Sequence, residues 1–560
     1  MNRSRLILRH LQLAKTNATR SSTGGMAAVR SQSFLRPLST CSTANASSTS
    51  MVVSKHRRYK SSSPVAAYDQ TVDTFPSLII GADQSIEPIG TFAEAQATYL
   101  DPDPVAVKEL KERLEATESG IVAHYYMDVE LQGVLQAVGK ELPGRVGIAD
   151  SLRMGDMAVE MVQKHNVRHI TCLGVDFMSE SVQAILSKNG YGHIPVYRAA
   201  EAKIGCSLAE SAERDAYRAW LQQESEGQNA LHVVYINTSL ETKAVSSSIV
   251  PTITCTSSNV LATLLQAYAQ MGNDGLKVLY GPDTYMGHNL ETLLSVVLDG
   301  GWDDEKIARD LHPEHNRETL QRLRSAISVF PSGNCVVHHM FGDSVVEAVR
   351  RNYDDAFVTA HLEVPGEMFD IAMQKSLSDE GVVGSTSDIL KFITRKVTEA
   401  ATAGESRRLR FILGTEAGMV TSIVQSVQQI LKESGNKSVE AEIIFPVSQD
   451  AVMGTDDADM AIVPGVSGGE GCSTAGGCAT CPFMKMNDLD AVMDVLDMIG
   501  QEDKAAQLQR HLPPNRLEGK EINGRSAMDL GTESILFMRK FMSNGRLPDE
   551  LVEKVLQGGR

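Results

Sequence analysis

Three cysteines stand at matching places in a weak threefold repeat along this chain of 560 residues. Cys206, Cys335 and Cys481 each close one copy of the repeat. Iron–sulfur clusters are held by cysteine thiolates, often four, so three that converge leave one iron without a cysteine. Such an iron can bind a substrate oxygen and act as a Lewis acid. One cysteine alone predicts only a small buried thiol, whereas the matching places favour metal binding.

The strongest local signal for a metal is the segment Cys472–Asn487, CSTAGGCATCPFMKMN. Its glycine-rich loop, its CxxC and the proline that follows are typical of iron–sulfur or zinc loops, and zinc is the competing interpretation. Cys478 either pairs with Cys481 in a regulatory disulfide or remains an unpaired thiol. We expect the other cysteines to be mostly buried thiols, because the chain is expected in a reducing organelle.

Polar side chains open each copy of the repeat, at the predicted end of a strand. They are His124 and Tyr126, then Tyr235 and Asn237, then His361 and Glu363. Histidine, tyrosine and glutamate in such places are candidate proton donors and acceptors. Glu363 close to His361 can shift both pKa values and give a base near neutrality. Later strands end in acids that either share this chemistry or cap loops: Asp176, Asp283 and Glu416.

Hydroxyl groups mark a turn that opens a helix in each copy. The turns are Asp150-Ser151-Leu152, Thr256-Ser257-Ser258 and Ser385-Thr386-Ser387. Hydroxyls and free backbone N–H groups at helix starts bind carboxylate or phosphate oxygens. Simple capping of the helix is the alternative for any one of them. Their matched positions favour anion binding, which an acidic protein needs locally when its substrates are anions.

Nearly continuous apolar strands alternate with helices along most of the chain, as in ALHVVYINTS and RLRFILGTE. This pattern indicates parallel sheets covered by helices, whose ligands bind beyond the carboxyl ends of the strands. We therefore predict an α/β fold of three similar parallel-sheet αβα domains around a pseudo-threefold axis, with the active site at the centre. The predicted parts are an organelle transit peptide or disordered segment (1–68), a first repeat with an N-terminal helical extension (69–206), a second (207–335), a third with the cluster loop (336–486) and a helical C-terminal region (487–560).

Charge is unevenly distributed along the chain. The whole sequence has 53 basic and 70 acidic residues, a formal net charge of −17, which argues against a nucleic-acid partner. Residues 1–68 contain no acid and are rich in arginine, serine and threonine, which is typical of a transit peptide. We expect the mitochondrial matrix, with the plastid as the alternative and a disordered basic tail as the bland interpretation. No apolar run is long enough to predict a membrane span.

At these residues the chain resembles the quinolinate synthase family of NAD (pyridine nucleotide) biosynthesis. The matching segments run in family order from about residue 121 to 487 and include IVAHYY, GCSLAE, VYINTSLETKA, CTSSNV, LYGPDTYMGHN, GNCVVHH, HLEVP, VGSTSDILKFI and CATCPFMKMN. The resemblance implies three similar α/β domains around one 4Fe-4S cluster per chain. It also implies a transferase reaction in which iminosuccinate (iminoaspartate) condenses with dihydroxyacetone phosphate to give quinolinate, phosphate and water. The family's usual HPE stands here as HLE, which puts the shape of that strand end in doubt.

The resemblance also implies roles for particular residues. Cys206, Cys335 and Cys481 would be the cluster ligands. Tyr126 and Glu363, with His124, would be catalytic. The substrate-binding positions would be His124, Ser151, Tyr235, Asn237, Ser257, His361, Glu363 and Thr386.

Partners and alternatives complete the expectation. Besides the two substrates, we expect a functional link to L-aspartate oxidase or dehydrogenase and to the iron–sulfur assembly machinery; a homodimer is compatible with the sequence, and no membrane partner is expected. The alternatives are a hydro-lyase that uses a similar open iron, and a non-enzymatic iron–sulfur sensor or carrier. A carrier needs only the cysteines, so the acid/base and hydroxyl groups at the strand ends favour an enzyme.

Overall fold

The structure is a computed structural model that describes residues 74–98, 100–338, 341–404, 406–447 and 481–558. The predicted transit segment and three of the cysteines, Cys41, Cys472 and Cys478, lie outside the described residues. The proposed disulfide between Cys478 and Cys481 therefore stays a prediction.

Three mixed or parallel sheets and one small hairpin account for the described strands. The strands are β1 (Ser77–Ile80), β2 (Ile86–Ile89), β3 (Ser119–His124), β4 (Val146–Ala149), β5 (His169–Leu173), β6 (Val196–Arg198), β7 (Ala230–Tyr235), β8 (Thr252–Cys255), β9 (Lys277–Gly281), β10 (Ile327–Val329), β11 (Phe357–His361), β12 (Gly381–Gly384), β13 (Arg407–Gly414), β14 (Val439–Ile444), β15 (Glu521–Ile522) and β16 (Arg525–Ser526).

The same strand order occurs in all three large sheets. The first sheet runs β4-β3-β5-β6, the second β8-β7-β9-β10, and the third contains β12-β11-β13-β14. All pairs within these sets of four are parallel. Each sheet thus places its first strand next to both its second and its third, which is the topological switch point where open α/β sheets bind ligands. The predicted α/β fold with repeated parallel sheets is confirmed, and the pseudo-threefold axis and the domain boundaries stay predictions.

Helices connect successive strands and cover the sheets. They are Thr91–Thr98, Pro104–Ala116, Val129–Glu141, Ser151–His165, Asp176–Lys188, Ser207–Ala212, Asp215–Ser225, Leu240–Ile249, Val260–Met271, Thr284–Asp299, Asp304–Lys306, Arg317–Ala326, Asp343–Asn352, Gly366–Ser376, Thr386–Thr402, Val420–Ser434, Leu489–Met498, Ala505–Leu508, Ala527–Asn544 and Asp549–Leu556. None of these described helices combines the length and the apolar character needed to cross a lipid bilayer.

Local sequence explains where many of these elements begin. β3 and β7 are buried along their whole length, as strands covered by helices on both faces must be. Asp128 accepts a hydrogen bond from the backbone N–H of Glu130 and so caps the helix Val129–Glu141. Ser385 and Asp388 form a capping box that starts the helix Thr386–Thr402. These caps fix the helix starts directly beyond the strand ends, where the chemistry is expected.

The third sheet is extended by two strands from the start of the described chain. β1 pairs antiparallel with β14, and β2 pairs antiparallel with β1. β1 is buried at every residue, whereas β2 alternates between half-buried and exposed residues as an edge strand does. These strands lie within residues 69–206, which were predicted as the first repeat with its N-terminal helical extension, but they join the sheet of the third repeat.

The C-terminal helices pack behind the second sheet. In the helix Ala527–Asn544, the Ser534 hydroxyl lies 2.9 Å from that of Thr254 on β8, and both are buried. Gly531 of the same helix faces Leu240, where an added Cβ would lie only 2.5 Å from the Leu240 carbonyl oxygen. Within residues 487–558 the chain forms helices, with the small hairpin β15–β16 between them.

Candidate active site and metal centre

Strand register brings the predicted acid/base groups next to the predicted hydroxyl groups. The last residue of the first strand lies opposite the last residue of the second in every repeat: His124 opposite Ala149, Tyr235 opposite Cys255 and His361 opposite Gly384. The hydroxyl residue follows two positions beyond that partner each time, at Ser151, Ser257 and Thr386. The repeat seen in the sequence is therefore a repeat of geometry.

The hydroxyl residues are not the helix caps themselves. Asp150 caps the helix that begins at Ser151, and Ser385 caps the helix that begins at Thr386. The capping alternative thus applies to their neighbours in these two repeats. The Thr386 hydroxyl lies 3.3 Å from the hydroxyl of Tyr126, which joins the first and third repeats.

The turns after β3 and β11 are built alike. The Nδ1 atom of His124 accepts a hydrogen bond from the backbone N–H of Tyr126 at 3.2 Å. In the same way, Nδ1 of His361 accepts from the backbone N–H of Glu363 at 3.3 Å. Burial lowers the pKa of both His124 and His361 to about 4, so both rings are neutral at pH 7. With Nδ1 as the acceptor, the ring proton of each histidine is on Nε2.

Glu363 is the meeting point of groups from several elements. The Tyr235 hydroxyl at the end of β7 donates to Oε1 of Glu363. Nδ1 of His338 lies 3.0 Å from Oε2, and Nδ1 of His361 lies 3.8 Å from Oε1. Burial works to raise the pKa of Glu363, but His338 and the hydrogen bond from the Tyr235 hydroxyl outweigh it and hold the pKa below its ordinary value. Glu363 is therefore a buried carboxylate that stays ionised.

Two tyrosines beside this carboxylate keep their protons. Burial, and then the charge of Glu363, raises the pKa of Tyr126 and of Tyr235 well above the ordinary value. The Tyr126 ring also stands edge-on to His124, with ring centroids 4.7 Å apart. Asn237, two residues after Tyr235, is half-buried in the equivalent turn of the second repeat.

The three predicted cysteines follow the fourth strand of their respective sheets, and their loops touch. The Ser207 hydroxyl, next to Cys206, donates to the carbonyl of Asn334, next to Cys335. A Cβ added at Gly205, the other neighbour of Cys206, would lie 3.1 Å from the ring of Phe483, two residues beyond Cys481. The structure therefore brings the three cysteine loops together.

The three half-buried cysteines lie near enough for their thiols to influence one another. Burial raises the pKa of Cys206 to about 11, that of Cys481 to about 12 and that of Cys335 well above its ordinary value. Cys335 is raised further by both other thiols, and Cys481 by Cys206. Three thiolates so close together need a cation to stabilise them, and bound metal ions deprotonate coordinating thiols outright.

The donors around these sulfurs fit a metal group. The Sγ of Cys335, a ring nitrogen of His338 and a carboxylate oxygen of Glu363 lie within 4.8 Å of one another. The Nε2 atom of His338 is buried without a hydrogen-bond partner among the described residues, while its Nδ1 faces Glu363. Three thiols suit an iron–sulfur cluster, and three thiols with a histidine also suit zinc, so the donor set accepts either group.

The other two described cysteines do not join this site. Cys172 lies in β5 and Cys255 in β8, and burial raises the pKa of both thiols. Both belong to the apolar core, as expected of cysteines without a metal.

The acids that follow the third strands hold loops. The Asp176 carboxylate accepts hydrogen bonds from Arg198 at 2.8 Å and from the backbone N–H of Ile204 at 3.2 Å, just before Cys206. Asp283 caps a helix through the N–H of Met286. Glu416 accepts from the backbone N–H of Cys481 itself at 3.3 Å. Of the two interpretations left open for these acids, the hydrogen bonds favour loop capping.

Sequence reasoning missed His338 as a site residue. The signal was present, because GNCVVHH places a histidine three residues after Cys335. A histidine at that distance was not distinguishable from a structural one, since its proximity to Glu363 arises from the contact between two different segments.

Comparisons with known proteins bear on the whole of this region. A family model described as quinolinate synthetase A protein matches residues 106–511. The chloroplastic quinolinate synthase of Nicotiana tabacum is 47% identical over 495 residues, covering 87% of this chain and 67% of that protein. Its counterpart in Oryza sativa subsp. japonica is 46% identical over 506 residues, covering 87% of this chain and 70% of that protein.

More distant matches were also found. The quinolinate synthase of Sulfurisphaera tokodaii is 27% identical over 323 residues, covering 58% of this chain and 79% of that protein. Among solved structures, an NADH-dependent butanol dehydrogenase A of Thermotoga maritima covers 60% of this chain and 82% of its own at 12% identity with a TM-score of 0.13, which is too low to support an argument. The site residues from His124 to Cys481 all lie inside the range matched by the family model.

Proposed function

The chain belongs to the quinolinate synthetase A family, and we propose that it is a transferase that condenses iminosuccinate with dihydroxyacetone phosphate into quinolinate for NAD synthesis, releasing phosphate and water. The observation that carries the proposal is the convergence of one cysteine loop from each sheet next to Glu363 and Tyr126. A site for electron transfer alone has no use for this carboxylate and these hydroxyls, whereas a condensation with proton transfers needs both.

We propose that Cys206, Cys335 and Cys481 hold a 4Fe-4S cluster that, when bound, supplies one iron without a cysteine as a Lewis acid for a substrate oxygen or nitrogen. The proximity of the three thiols supports this assignment, because their thiolate forms would repel one another and would need a cation to stabilise them. The buried Nε2 atom of His338, which has no hydrogen-bond partner among the described residues, adds a further donor on the same side.

Substrate binding falls to neutral groups. Ser151, Ser257 and Thr386 bind carboxylate and phosphate oxygens through hydroxyls and through the N–H groups of the turns and helix starts where they lie. His361 and His124 are neutral, and each offers an Nε2–H donor to the substrate. Neutral donors bind anions without the cost of burying an unpaired cation. Asn237 and Tyr235 complete the contacts from the second repeat.

Proton movement falls to Tyr126 and Glu363. Tyr126 has a pKa well above its ordinary value, so it carries a proton to donate. Glu363 is ionised and accepts a hydrogen bond from the Tyr235 hydroxyl, so it can accept a proton as the ring closes. The hydrogen bond from Tyr235 orients the Glu363 carboxylate. Correct orientation towards the proton is the first requirement of a general base, and a suitable pKa is the second.

Anaerobic reconstitution with iron and sulfide tests the proposal. We expect about four irons per chain, the absorption spectrum of a 4Fe-4S cluster, and quinolinate formed from the two substrates. Cys→Ser at 206, 335 or 481 should each abolish the cluster, whereas Cys172→Ala, in the core of the first repeat, should keep it. A cluster that is fully retained in any of the three serine variants contradicts that ligand assignment.

The same experiment separates the alternatives. One zinc per chain, with no iron bound either as purified or after anaerobic reconstitution, favours a structural zinc site and contradicts the synthase proposal. A complete cluster without quinolinate favours a sensor or carrier. A cluster that dehydrates a hydroxy acid but joins no carbon atoms favours a hydro-lyase.

We further propose that residues 1–68 direct the chain to an organelle. The relatives from Nicotiana tabacum and Oryza sativa carry chloroplastic in their names, which favours the plastid, the alternative of the sequence analysis, over the mitochondrion. A fluorescent fusion of residues 1–68 decides between the two compartments, and a diffuse cytosolic signal contradicts both.

A further inference from the structure

Each of the three turns that carry a proposed active-site residue is held by a buried side chain that donates hydrogen bonds on both sides of that residue. In the first repeat the donor is Gln132. Its Nε2 atom lies 2.7 Å from the carbonyl oxygen of Tyr125 and 2.9 Å from that of Met127. Tyr126 is the residue between these two carbonyls.

The second repeat has the same arrangement with a different donor. Nζ of Lys243 lies 3.1 Å from the carbonyl oxygen of Ile236, and it also donates to the carbonyl and to the hydroxyl of Thr238, the latter at 2.9 Å. Asn237 is the residue between them. Lys243 is fully buried, and an ammonium group is not buried without a strong reason.

The third repeat is held from outside. Nδ2 of Asn289 lies 2.9 Å from the carbonyl oxygen of Leu362 and 2.7 Å from that of Val364, with Glu363 between them. Asn289 belongs to the helix Thr284–Asp299 of the second repeat. Gln132 follows Tyr126 by six residues, and Lys243 follows Asn237 by six residues. The corresponding place in the third repeat, six residues after Glu363, is taken by Phe369.

Two flanking hydrogen bonds have a definite mechanical effect. The carbonyls lie beyond the end of the strand, where they have lost the partners of the sheet, and an unpaired buried carbonyl costs about 1–3 kcal/mol. A donor that binds the carbonyl on each side of a residue fixes the two peptide planes that meet at its Cα atom. Those planes determine where the side chain points.

We propose that Gln132, Lys243 and Asn289 are positioning residues that set the directions of Tyr126, Asn237 and Glu363 towards the reacting atoms. The proposal rests on the proposed function, because it takes these three residues as parts of the active site. Nε2 of Gln132 also lies 2.7 Å from the carbonyl oxygen of Gly418, so its two N–H groups are shared among three carbonyls, and Asn289 reaches across repeats. The same contacts therefore fix the turns relative to neighbouring repeats.

Gln132→Met tests this with a matched control on the same helix. Methionine has nearly the volume of glutamine but cannot donate. Gln136→Met makes the same change one turn later, where Gln136 donates to the hydroxyl of Ser422 in the third repeat at 3.4 Å and does not touch the turn. Both variants therefore remove a bond between the same two repeats, and only one releases Tyr126.

The measurements are kcat and KM per cluster-loaded chain, iron per chain, and hydrogen exchange of the peptide 124–128. We expect Gln132→Met to lower kcat roughly 10–100-fold, the size typical of a misplaced catalytic group, with iron content retained. Exchange of the peptide 124–128 should rise in Gln132→Met alone. A kcat per loaded chain within twofold of Gln136→Met, or unchanged exchange, overturns the proposal.

A second pair of variants tests the proposal if Gln132→Met does not fold. Asn289→Leu removes the donor at the third turn, and His288→Leu on the same helix is its exposed control. The expected results are the same, with exchange read on the peptide 360–365. If the wild type forms a cluster but no quinolinate, the proposed function fails, and the exchange data still decide whether the donors order the turns.

Discussion

Glu363 is a carboxylate that remains charged although it is almost completely buried. Its neighbours explain this, because a tyrosine hydroxyl donates to one oxygen and His338 stands 3.0 Å from the other. The two histidines at the ends of β3 and β11 are neutral. A buried charge is tolerated only with such partners. The site thus keeps one ionised acceptor among neutral donors, which is the combination needed to bind anions and still move a proton.

Replacing Glu363 by glutamine removes that acceptor without changing its shape. We expect Glu363→Gln to lower kcat roughly 10²–10⁴-fold, the contribution of a general acid or base, while iron per chain is retained. Glu442→Gln is the control, because Glu442 on β14 is also buried but accepts a hydrogen bond from Ser77 on the neighbouring strand β1. Turnover of Glu363→Gln close to that of the control contradicts the role of Glu363.

His232 makes the stability of the fold depend on pH. Burial lowers the pKa of His232 in β7 to about 3, against an ordinary value of 6.5. The unfolded chain therefore takes up a proton below pH 6.5 that the folded chain does not, so stability is complete above pH 6.5 and is lost as pH falls. Between pH 7 and pH 5 this loss is about 2 kcal/mol.

Thermal midpoints of the wild type and of His232→Gln between pH 7.5 and pH 5 measure this effect. Glutamine does not titrate, so the variant should lose less of its stability over the range, whatever its stability at pH 7.5. His193→Gln, an exposed histidine, is the control and should follow the wild type. Parallel curves for the wild type and His232→Gln contradict the prediction.

At the scale of elements, the sequence predicts those features that depend on residues close together in the chain. The alternation of buried strands and capped helices predicts the series of strands from β3 through β14. In all three sheets a hydroxyl residue follows two positions after the end of the second strand. What it misses depends on distant pairing. The four residues of β1 match β14 from more than three hundred residues away, and nothing local in SLII names that partner. His338 is missed for the same reason.

The cysteine loops are elements whose position depends on single backbone hydrogen bonds. Glu416 is buried and accepts from the N–H of Gly418 at 2.8 Å and from that of Cys481 at 3.3 Å. Glu416→Leu removes both acceptors, and we expect iron affinity to fall roughly 10–100-fold, as is usual for residues that orient metal ligands.

Iron release to a chelator under anaerobic conditions measures this change. Glu416→Gln keeps one acceptor oxygen and should give an intermediate rate. The half-buried Glu440 lies on the neighbouring strand β14, and Glu440→Leu should release iron as the wild type does. Equal rates for Glu416→Leu and Glu440→Leu would show that the Cys481 loop does not need this carboxylate.

At the scale of the whole molecule, the site exists only because the three repeats are fastened to one another. Gln132 links the first repeat to the third, and Asn289 links the second to the third. Glu180 of the first repeat accepts from the N–H of Leu240 at the start of a helix in the second. Asn487, beyond the third repeat, exchanges hydrogen bonds with Gly174 of the first. A disturbance at any of these junctions should therefore reach the active site without touching it.

Gly531 provides such a disturbance at the back of the second repeat. An added Cβ would lie 2.5 Å from the carbonyl oxygen of Leu240, so Gly531→Ala must push apart the helices Ala527–Asn544 and Leu240–Ile249. Leu240 is also where Glu180 fastens the first repeat, three residues after Asn237. We expect a loss of stability of about 1–3 kcal/mol, the usual cost of overpacking, together with reduced quinolinate formation.

Gly366→Ala is the matched control for this substitution. Gly366 is exposed at the first residue of a helix, where an added Cβ meets nothing within 4 Å, so alanine should be neutral or slightly stabilising there. Thermal midpoints and turnover of the two variants are compared on the reconstituted protein. If Gly531→Ala melts like Gly366→Ala, the C-terminal helix yields at no cost. A junction that moves freely transmits no constraint to Leu240 or to the turn that precedes it. The geometry of the active site would then not depend on the C-terminal helix that packs behind the second repeat.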